Sequence, residues 1–470
     1  MTNVLFSKLP KNTKKYVKDY VLPFMYLPFI RTKKYKQNMR FLEETETWSH
    51  EQIEEWQFGQ VKKVIEHAAS YVPYYKKVFK RIDFSPQDFK SLSDLKRLPI
   101  VTKEDIKSNL SDFIAKNVKK NDLVTCFTGG STGEPMRFYL DKQKNALEVS
   151  FFDYIWRKYG YTLGKDKCVF FKANKAPNPD KKKFCSVDSY YRYLRCDSNY
   201  INILENLPYY DKPIKKYGAS VIFGYPSSVS QLAKAYSRSN IEPPKFRLAL
   251  LASENVYDWQ LELISEVFDT KQVFFHYGHS EQVLLAFKTS EDNRMQLVPQ
   301  YGYGELLGPE GNVIEKPGYT GELIGTGYAL GMPFIRYATK DYATLSENQN
   351  GIFPKGLVLD RIEGRLQEFV VTSDGRLISI CTIGGFHFPE LEIALHMQYY
   401  QEKPGLLELR YVEDPAKQMT EEMRASVRAA FLEAFNGTLD VKLVPVESIV
   451  LTQQNKKQML IQKLQIERFL

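Results

Sequence analysis

Residues 217–281 read YGASVIFGYPSSVSQLAKAYSRSNIEPPKFRLALLASENVYDWQLELISEVFDTKQVFFHYGHSE. Short β-branched or aromatic runs alternate here with helical patterns. Ser220 to Phe223 predicts a strand, Ser227 to Ser237 a helix, Leu248 to Leu251 a strand, Tyr257 to Phe268 a helix and Gln272 to Phe275 a strand. This βαβαβ order predicts an α/β fold with a parallel sheet. Ligands of open α/β sheets bind beyond the carboxyl ends of the strands. The small or polar residues just past these ends are Gly224 and Tyr225, Ser253 and Glu254, and Tyr277 to Glu281, so three loops are expected to converge on one crevice. Tyr225, Ser253 and Glu254 are candidates for its rim.

Upstream, Ser49 and Gln52 form a capping-box pattern ahead of Ile53, Trp56, Val64, Ile65 and Ala68, which predicts a helix from about 49 to 80. Thr102 with Asp105 repeats the capping signal. Downstream, residues 299–333 are dense in Gly and Pro, but Glu322 to Ile324 and Phe334 to Tyr337 interrupt them with strand-like pieces, which predicts tight hairpins in a small β subdomain. Past residue 365 the pattern changes again. Phe369 to Val371 and Leu377 to Ile380 flank an Asp374-Gly375 turn, followed by a helix near Pro389 to Met397, a strand at Leu406 to Val412, a helix from Thr420 to Phe435 and a strand at Val441 to Val444. The expected organisation is a large N-terminal α/β domain, 1–364, and a small α+β C-terminal domain, 365–470, joined by a hinge.

Composition sets the outer bounds. Hydrophobic residues at 43% and charged residues at 26% are ordinary globular values, which excludes a disordered, collagenous or disulfide-stapled chain. The 65 basic and 56 acidic residues give +9, spread too thinly over 470 residues for a nucleic-acid coat, so no nucleic-acid partner is expected. Cys126, Cys168, Cys185, Cys196 and Cys381 are odd in number and form no C-x-x-C pair, which fits a reducing cytoplasm; a zinc site involving Cys185 and Cys196 is not adopted. There is no secretory-signal pattern and no apolar run of the ~18 residues that span a bilayer. Tyr20 to Ile30 is apolar and aromatic between Lys14, Lys15, Arg31, Lys33 and Lys34, so it either docks on the main domain or makes weak peripheral contact with an anionic membrane surface.

The stretch richest in chemistry is Thr128-Gly129-Gly130-Ser131-Thr132-Gly133-Glu134-Pro135, whose three glycines and three hydroxyl residues expose a run of backbone N–H groups able to wrap phosphate. It is not a Walker A loop: no Lys follows the last Gly, and Met136 to Leu140 alternates like a strand rather than opening a helix. Taken alone, the same pattern also describes a polar hairpin tip.

This segment resembles the phosphate loop of the adenylate-forming superfamily, which holds acyl-CoA synthetases, peptide-synthetase adenylation domains and luciferases. The chain is similar in particular to the phenylacetate-CoA ligase-like branch, and within it to proteins associated with capsular polysaccharide biosynthesis. Further motifs follow in the family's order from about residue 50 to 470. The resemblance implies that Thr128, Gly129, Gly130, Ser131, Thr132 and Gly133 bind the nucleotide phosphates. In Tyr277-Gly278-His279-Ser280-Glu281 it implies that the Tyr277 ring stacks on adenine, that Ser280 (Thr in most relatives) contacts the α-phosphate and that Glu281 holds Mg²⁺. His279 either lines the acid pocket or is structural. In Ile335-Arg336-Tyr337-Ala338-Thr339-Lys340-Asp341 it assigns the ribose hydroxyls to Asp341, with Lys340 standing where the family has Gly. Gly364-Arg365-Leu366-Gln367 matches the domain junction, where Arg365 would contact ribose or phosphate and Gln367, commonly Asp or Lys, would be the hinge. Lys456 matches the catalytic lysine, with Asn455 in place of Gly and Lys457 as the alternative.

The reaction so implied joins a carboxylic acid to ATP as acyl-adenylate with release of pyrophosphate. The acyl group then passes most readily to coenzyme A, or else to an amine, a hydroxyl or a carrier thiol in polysaccharide assembly. The competing expectation is a non-catalytic nucleotide-binding relative, on account of the departures at Lys340, Gln367 and Asn455. Neither the acid nor the oligomeric state follows from the sequence.

Overall fold

The computed structural model describes residues 32–128, 136–142, 144–172, 176–189, 191–198, 203, 205–350, 356–365, 368–380, 383, 389–414, 417–451 and 458–469. The chain begins with α1 (Lys33–Thr45), α2 (His50–Tyr71), α3 (Pro73–Arg81) and α4 (Lys103–Asn109). Ser49 and Gln52 cap α2 reciprocally, as do Thr102 and Asp105 on α4. The helix expected to run to residue 80 breaks at Val72, because Pro73 lacks an N–H and occupies the first position of a new helix. Next come the antiparallel hairpin β1 (Leu123–Phe127) and β2 (Arg137–Asp141), then α5 (Lys144–Lys158), β3 (Cys168–Phe171), β4 (Cys185–Asp188), β5 (Tyr193–Cys196) and α6 (Leu207–Tyr217).

The βαβαβ stretch folds as β6 (Val221–Gly224), α7 (Pro226–Ser237), β7 (Leu248–Ala252), α8 (Asp258–Phe268) and β8 (Gln272–Gly278), with all three strands parallel. Every residue of β6 and β7 is buried, as expected of parallel strands covered on both faces. Six antiparallel strands extend the sheet: β9 (Leu285–Thr289), β10 (Met295–Leu297), β11 (Gly302–Leu307), β12 (Thr320–Gly327), β13 (Tyr337–Leu345) and β14 (Val358–Arg365). The order is β11-β12-β13-β14-β10-β9-β8-β7-β6-β3-β5-β4, so the Gly- and Pro-rich region is continuous with the parallel core through the β8–β9 pair. Phe334 to Arg336, expected as strand, is not; β13 starts at Tyr337. Arg336 takes a left-handed backbone (φ +51°) and its guanidinium is buried against Glu305 and the Leu98 carbonyl, which turns the chain there.

Alternation along β8 assigns its side chains to two cores. Phe274 packs with Trp156, Phe223 and Tyr301 under α5, whereas Val273 and Phe275 join Val229, Leu232 and Ile264 of α7 and α8. Helices therefore cover both faces of the sheet.

A separate hydrophobic cluster, Val370 to Leu460, builds the C-terminal part. Here β15 (Phe369–Val371) and β16 (Leu377–Ser379) form the expected hairpin, with Gly375 at φ +82°. β17 (Ala394–Lys403), β18 (Leu406–Glu413), α9 (Glu421–Ala434), β19 (Asp440–Pro445) and β20 (Leu460–Gln462) follow, in the sheet order β19-β18-β17-β20. The helix expected at Pro389 to Met397 is a 3₁₀ turn, Pro389–Ile393, that gives way to β17. Ala394, His396 and Gln398 are buried alternately, a period of two that pairing with β18 selects over a helix. Among the described residues no helix is long and apolar enough to cross a membrane, and Tyr20 to Ile30 lies outside them.

Candidate active site

The carboxyl end of β8 carries the densest set of predicted residues. Tyr277, on the α7 and α8 side, donates its hydroxyl hydrogen to Asp341 Oδ2 at 2.5 Å. Asp341 is buried, and a bulge in β13 aims it there: the register against β12 shifts between Glu322 and Ile324, and Lys340 adopts φ +64°. The backbone thus takes a left-handed turn at Lys340, a conformation that Gly adopts without strain. Lys340 is held by its N–H on Glu322 Oε1 (3.1 Å), and Thr339 Oγ1 accepts the Asp341 N–H (3.1 Å) while donating to the Leu323 carbonyl (2.7 Å).

Glu281 follows β8 after the turn through Gly278 and Ser280, both exposed. It is buried; Oε1 accepts from Tyr337 Oη at 2.7 Å and Oε2 lies 3.3 Å from His279 Nδ1. The Leu284 N–H points at His279 Nε2 (3.4 Å), which places the ring hydrogen on Nδ1, toward the carboxylate. Burial alone pushes the Glu281 carboxyl up, but the His279 and Tyr337 contacts outweigh it and hold the group down at about 2. Glu281 is therefore a fixed anion. Sequence reasoning missed Tyr337 as its partner; an aromatic at the head of a strand carries no mark of which carboxylate it will meet.

At the hairpin, Thr128 closes the base of the predicted phosphate loop: its N–H donates to the Met136 carbonyl and its Oγ1 accepts the Met136 N–H, both at 2.9 Å. Gly129, Gly130, Ser131, Thr132 and Gly133 lie outside the described residues, as do Gln367, Lys456 and Lys457. The hairpin reaches Glu281 through edge-to-face rings, with Phe138 6.2 Å from Phe334 and Phe334 5.1 Å from Tyr337. Arg365 pairs with Asp341 in the β13–β14 register, which sets its backbone beside the proposed ribose site. Ser253 is exposed at φ +71° past β7. Glu254 Oε2 accepts the Ser227 N–H (3.2 Å) at the start of α7, where a carboxylate also meets the positive end of the helix. Tyr225, buried and near Glu254, is pushed up to about 12, chiefly by burial. The structure thus brings Tyr277, Glu281, Asp341 and the Arg365 backbone together, and leaves Ser253 and Glu254 on the neighbouring loop.

No family model matches the chain. A crystal structure of 2-hydroxyisobutyryl-CoA ligase in the postadenylation state, in complex with R3-HIB-AMP, superposes with a TM-score of 0.70 at 16% identity over 94% of this chain and 95% of that one, a likeness of fold. Protein CapK of Staphylococcus aureus is 26% identical over 315 residues, 65% of this chain and 66% of CapK. Phenylacetate-coenzyme A ligase of Escherichia coli K12 is 33% identical over 95 residues, 20% of this chain and 22% of the ligase. The chain is therefore similar in sequence to CapK and, over a fifth of its length, to phenylacetate-coenzyme A ligase, and similar in fold to an acyl-CoA ligase. The aligned part spans just under two thirds of CapK and about a fifth of the ligase.

The resemblance noted in the sequence implies Mg²⁺. Among the described residues no three His, Cys, Asp or Glu side chains are grouped to hold a metal. A magnesium ion bound with a nucleotide takes one or two carboxylates and fills its shell with phosphate oxygens and water. The single, permanently ionised Glu281 fits that donor set.

Proposed function

We propose that the chain is an AMP-forming ligase: a carboxylic acid and ATP give acyl-AMP and pyrophosphate, and the acyl group then passes to coenzyme A with release of AMP. The observation that carries this reading is the joint placement at the end of β8 of an ionised, buried Glu281 and the Tyr277–Asp341 pair. Asp341, which accepts from Tyr277, has the lone pairs to receive ribose hydroxyls, with the Tyr277 ring beside the base. The glycine-rich loop on β1 and β2 supplies backbone N–H groups for the β- and γ-phosphates. Mg²⁺ on Glu281 would offset triphosphate charge. Lys456 would stabilise the negative charge that develops at the α-phosphate as the carboxylate attacks in line. Positioning and electrostatics supply the rate, with no covalent enzyme intermediate.

The junction at 365–367 would be the hinge between domains 1–364 and 365–470. A large hydrophobic cluster on each side supports this; the described contacts across the junction include Asn255 to Glu368 (2.6 Å), Lys234 to the Ala394 carbonyl (2.6 Å), Arg238 to Asp414 (3.5 Å) and the packing of Tyr342 on Phe369 (5.7 Å between ring centroids). The odd number of cysteines and the lack of a C-x-x-C pair support a cytoplasmic setting. The similarity to CapK keeps an amine, hydroxyl or carrier-thiol acceptor in polysaccharide assembly as the second reading.

Exchange of labelled pyrophosphate into ATP, screened over aryl, fatty and sugar acids, tests the proposal. At least one acid is expected to drive exchange, and Lys456→Ala is expected to abolish it while ATP still binds. Exchange with no acid, alongside intact ATP binding, would make the chain a nucleotide-binding relative instead.

A further inference from the structure

On α5, Lys144, Glu148, Phe152 and Trp156 recur every four residues and so form one stripe, which faces β8 and its neighbours. The stripe has an aromatic end and a polar end. At the aromatic end, the Phe152 ring lies 4.6 Å from His276, and Trp156 lies 5.5 Å from Phe223 and 6.2 Å from His276. At the polar end, Glu148 accepts from Tyr301 Oη at 3.1 Å and from Gln282 Nε2. A carboxylate only accepts, so the Gln282 amide must turn its nitrogen to Glu148, and this fixes Oε1 on the other side. Among the described residues, Gln282 Oε1 has no donor and His276 Nδ1 has no partner. Lys144 makes no hydrogen bond or ion pair with the described residues; its ammonium sits 5.3 Å from the Tyr301 ring centroid. Lys144, His276 and Gln282 are each only 7% exposed.

Buried polar groups are nearly always satisfied, and a cluster left open marks a place that something else completes. This cluster lies on the face of β8 opposite the Tyr277–Asp341 pair, with His279 and Glu281 at the strand end between them. We propose that the α5 face of the sheet holds the acid pocket and that Glu148, Gln282 and His276 select carboxylic acids that carry a hydroxyl group. The proposal rests on the adenylation reading above. A hydroxyl donates to Gln282 Oε1, the vacancy at the polar end, which a hydrocarbon cannot do. A hydrocarbon acid leaves the polar end unsatisfied. An ammonium only donates and adds a third cation to Lys144 and to Lys172, whose ammonium lies 5.5 Å from the Phe223 ring centroid. The rings of Phe152, Phe223 and His276 line the rest of the pocket.

A site built to hydrogen-bond a substrate hydroxyl rejects the analogue that lacks it by up to about 10⁴- to 10⁵-fold. The test measures pyrophosphate exchange by the full chain with matched acids: 4-hydroxyphenylacetate against phenylacetate, 3-hydroxybenzoate against benzoate, and 3-hydroxybutyrate against butyrate. Thermal shift with each acid alone accompanies it. The hydroxylated member of at least one pair is expected to lead by about tenfold or more in kcat/KM. Gln282→Met and Glu148→Leu are expected to bring that ratio toward one, and if Glu148→Leu fails to fold, Gln282→Met decides. Deoxy acids used as well as their partners, or a ratio unchanged in the variants, overturns the pocket. If no acid drives exchange, the adenylation reading fails. Thermal shift then judges the pocket separately: stabilisation by hydroxylated acids only, lost in Gln282→Met, upholds it, and no stabilisation overturns it as well.

Discussion

Tyr337→Phe removes one oxygen and keeps the ring. Tyr337 is 3% exposed, and its packing against Phe334 and His279 needs only the ring, so the loss falls on the 2.7 Å hydrogen bond to Glu281. A hydrogen bond to a charged group contributes about 1.5–3 kcal/mol, which corresponds to roughly one to two pKa units on the carboxyl. In the intact protein Glu281 titrates at about 2, against an unfolded carboxyl near ~4.3. Its folded-state value is depressed, so its contribution to stability is full above ~4.3 and disappears as pH falls through the folded value. In Tyr337→Phe the folded value should rise to about 3–4, so the penalty should be full at pH 5 to 7 and shrink to roughly half by pH 3. Urea unfolding followed by tryptophan fluorescence reads this directly, since Trp48, Trp56, Trp156 and Trp259 all precede residue 365. A penalty as large at pH 3 as at pH 7, or none at pH 7, refutes the claim that Tyr337 acts by holding Glu281 ionised.

Gly224→Ala should destabilise the protein by about 1–3 kcal/mol, because overpacked sites resist added atoms. The new Cβ would lie 2.7 Å from the Phe171 carbonyl oxygen and 2.9 Å from Val229 Cγ2, at the end of β6; an unchanged thermal midpoint would show that the strand end yields. Arg336→Met leaves Glu305 buried without the 3.0 and 3.1 Å contacts from its guanidinium and should cost about 3–5 kcal/mol in denaturant unfolding. Adding Glu305→Leu should recover most of that loss; a double variant as unstable as the single one would mean that the Leu98 carbonyl contact carries the effect.

The elements legible in the sequence are those written by neighbours. Capping boxes at Ser49 and Thr102 join groups three residues apart, Asp374-Gly375 forms its own turn, and the runs that became β6 and β7 are buried on both faces and show it in unbroken apolar composition. Order and type of these elements, and the motifs at their ends, follow from local chemistry. Partnership across the chain does not. Residues 394–397 are compatible with helix or strand until β18 supplies hydrogen bonds to one of them. That Tyr337 would meet Glu281, 56 positions away, or that Gln282 would meet Glu148, 134 away, depends on how β8, β13 and α5 are stacked. Local sequence determined most of the strands and helices, because backbone propensity and burial period act within a few residues. The tertiary structure decided which side of β8 meets Asp341 and which meets α5, because a strand presents alternate residues to opposite faces and only packing chooses what covers each.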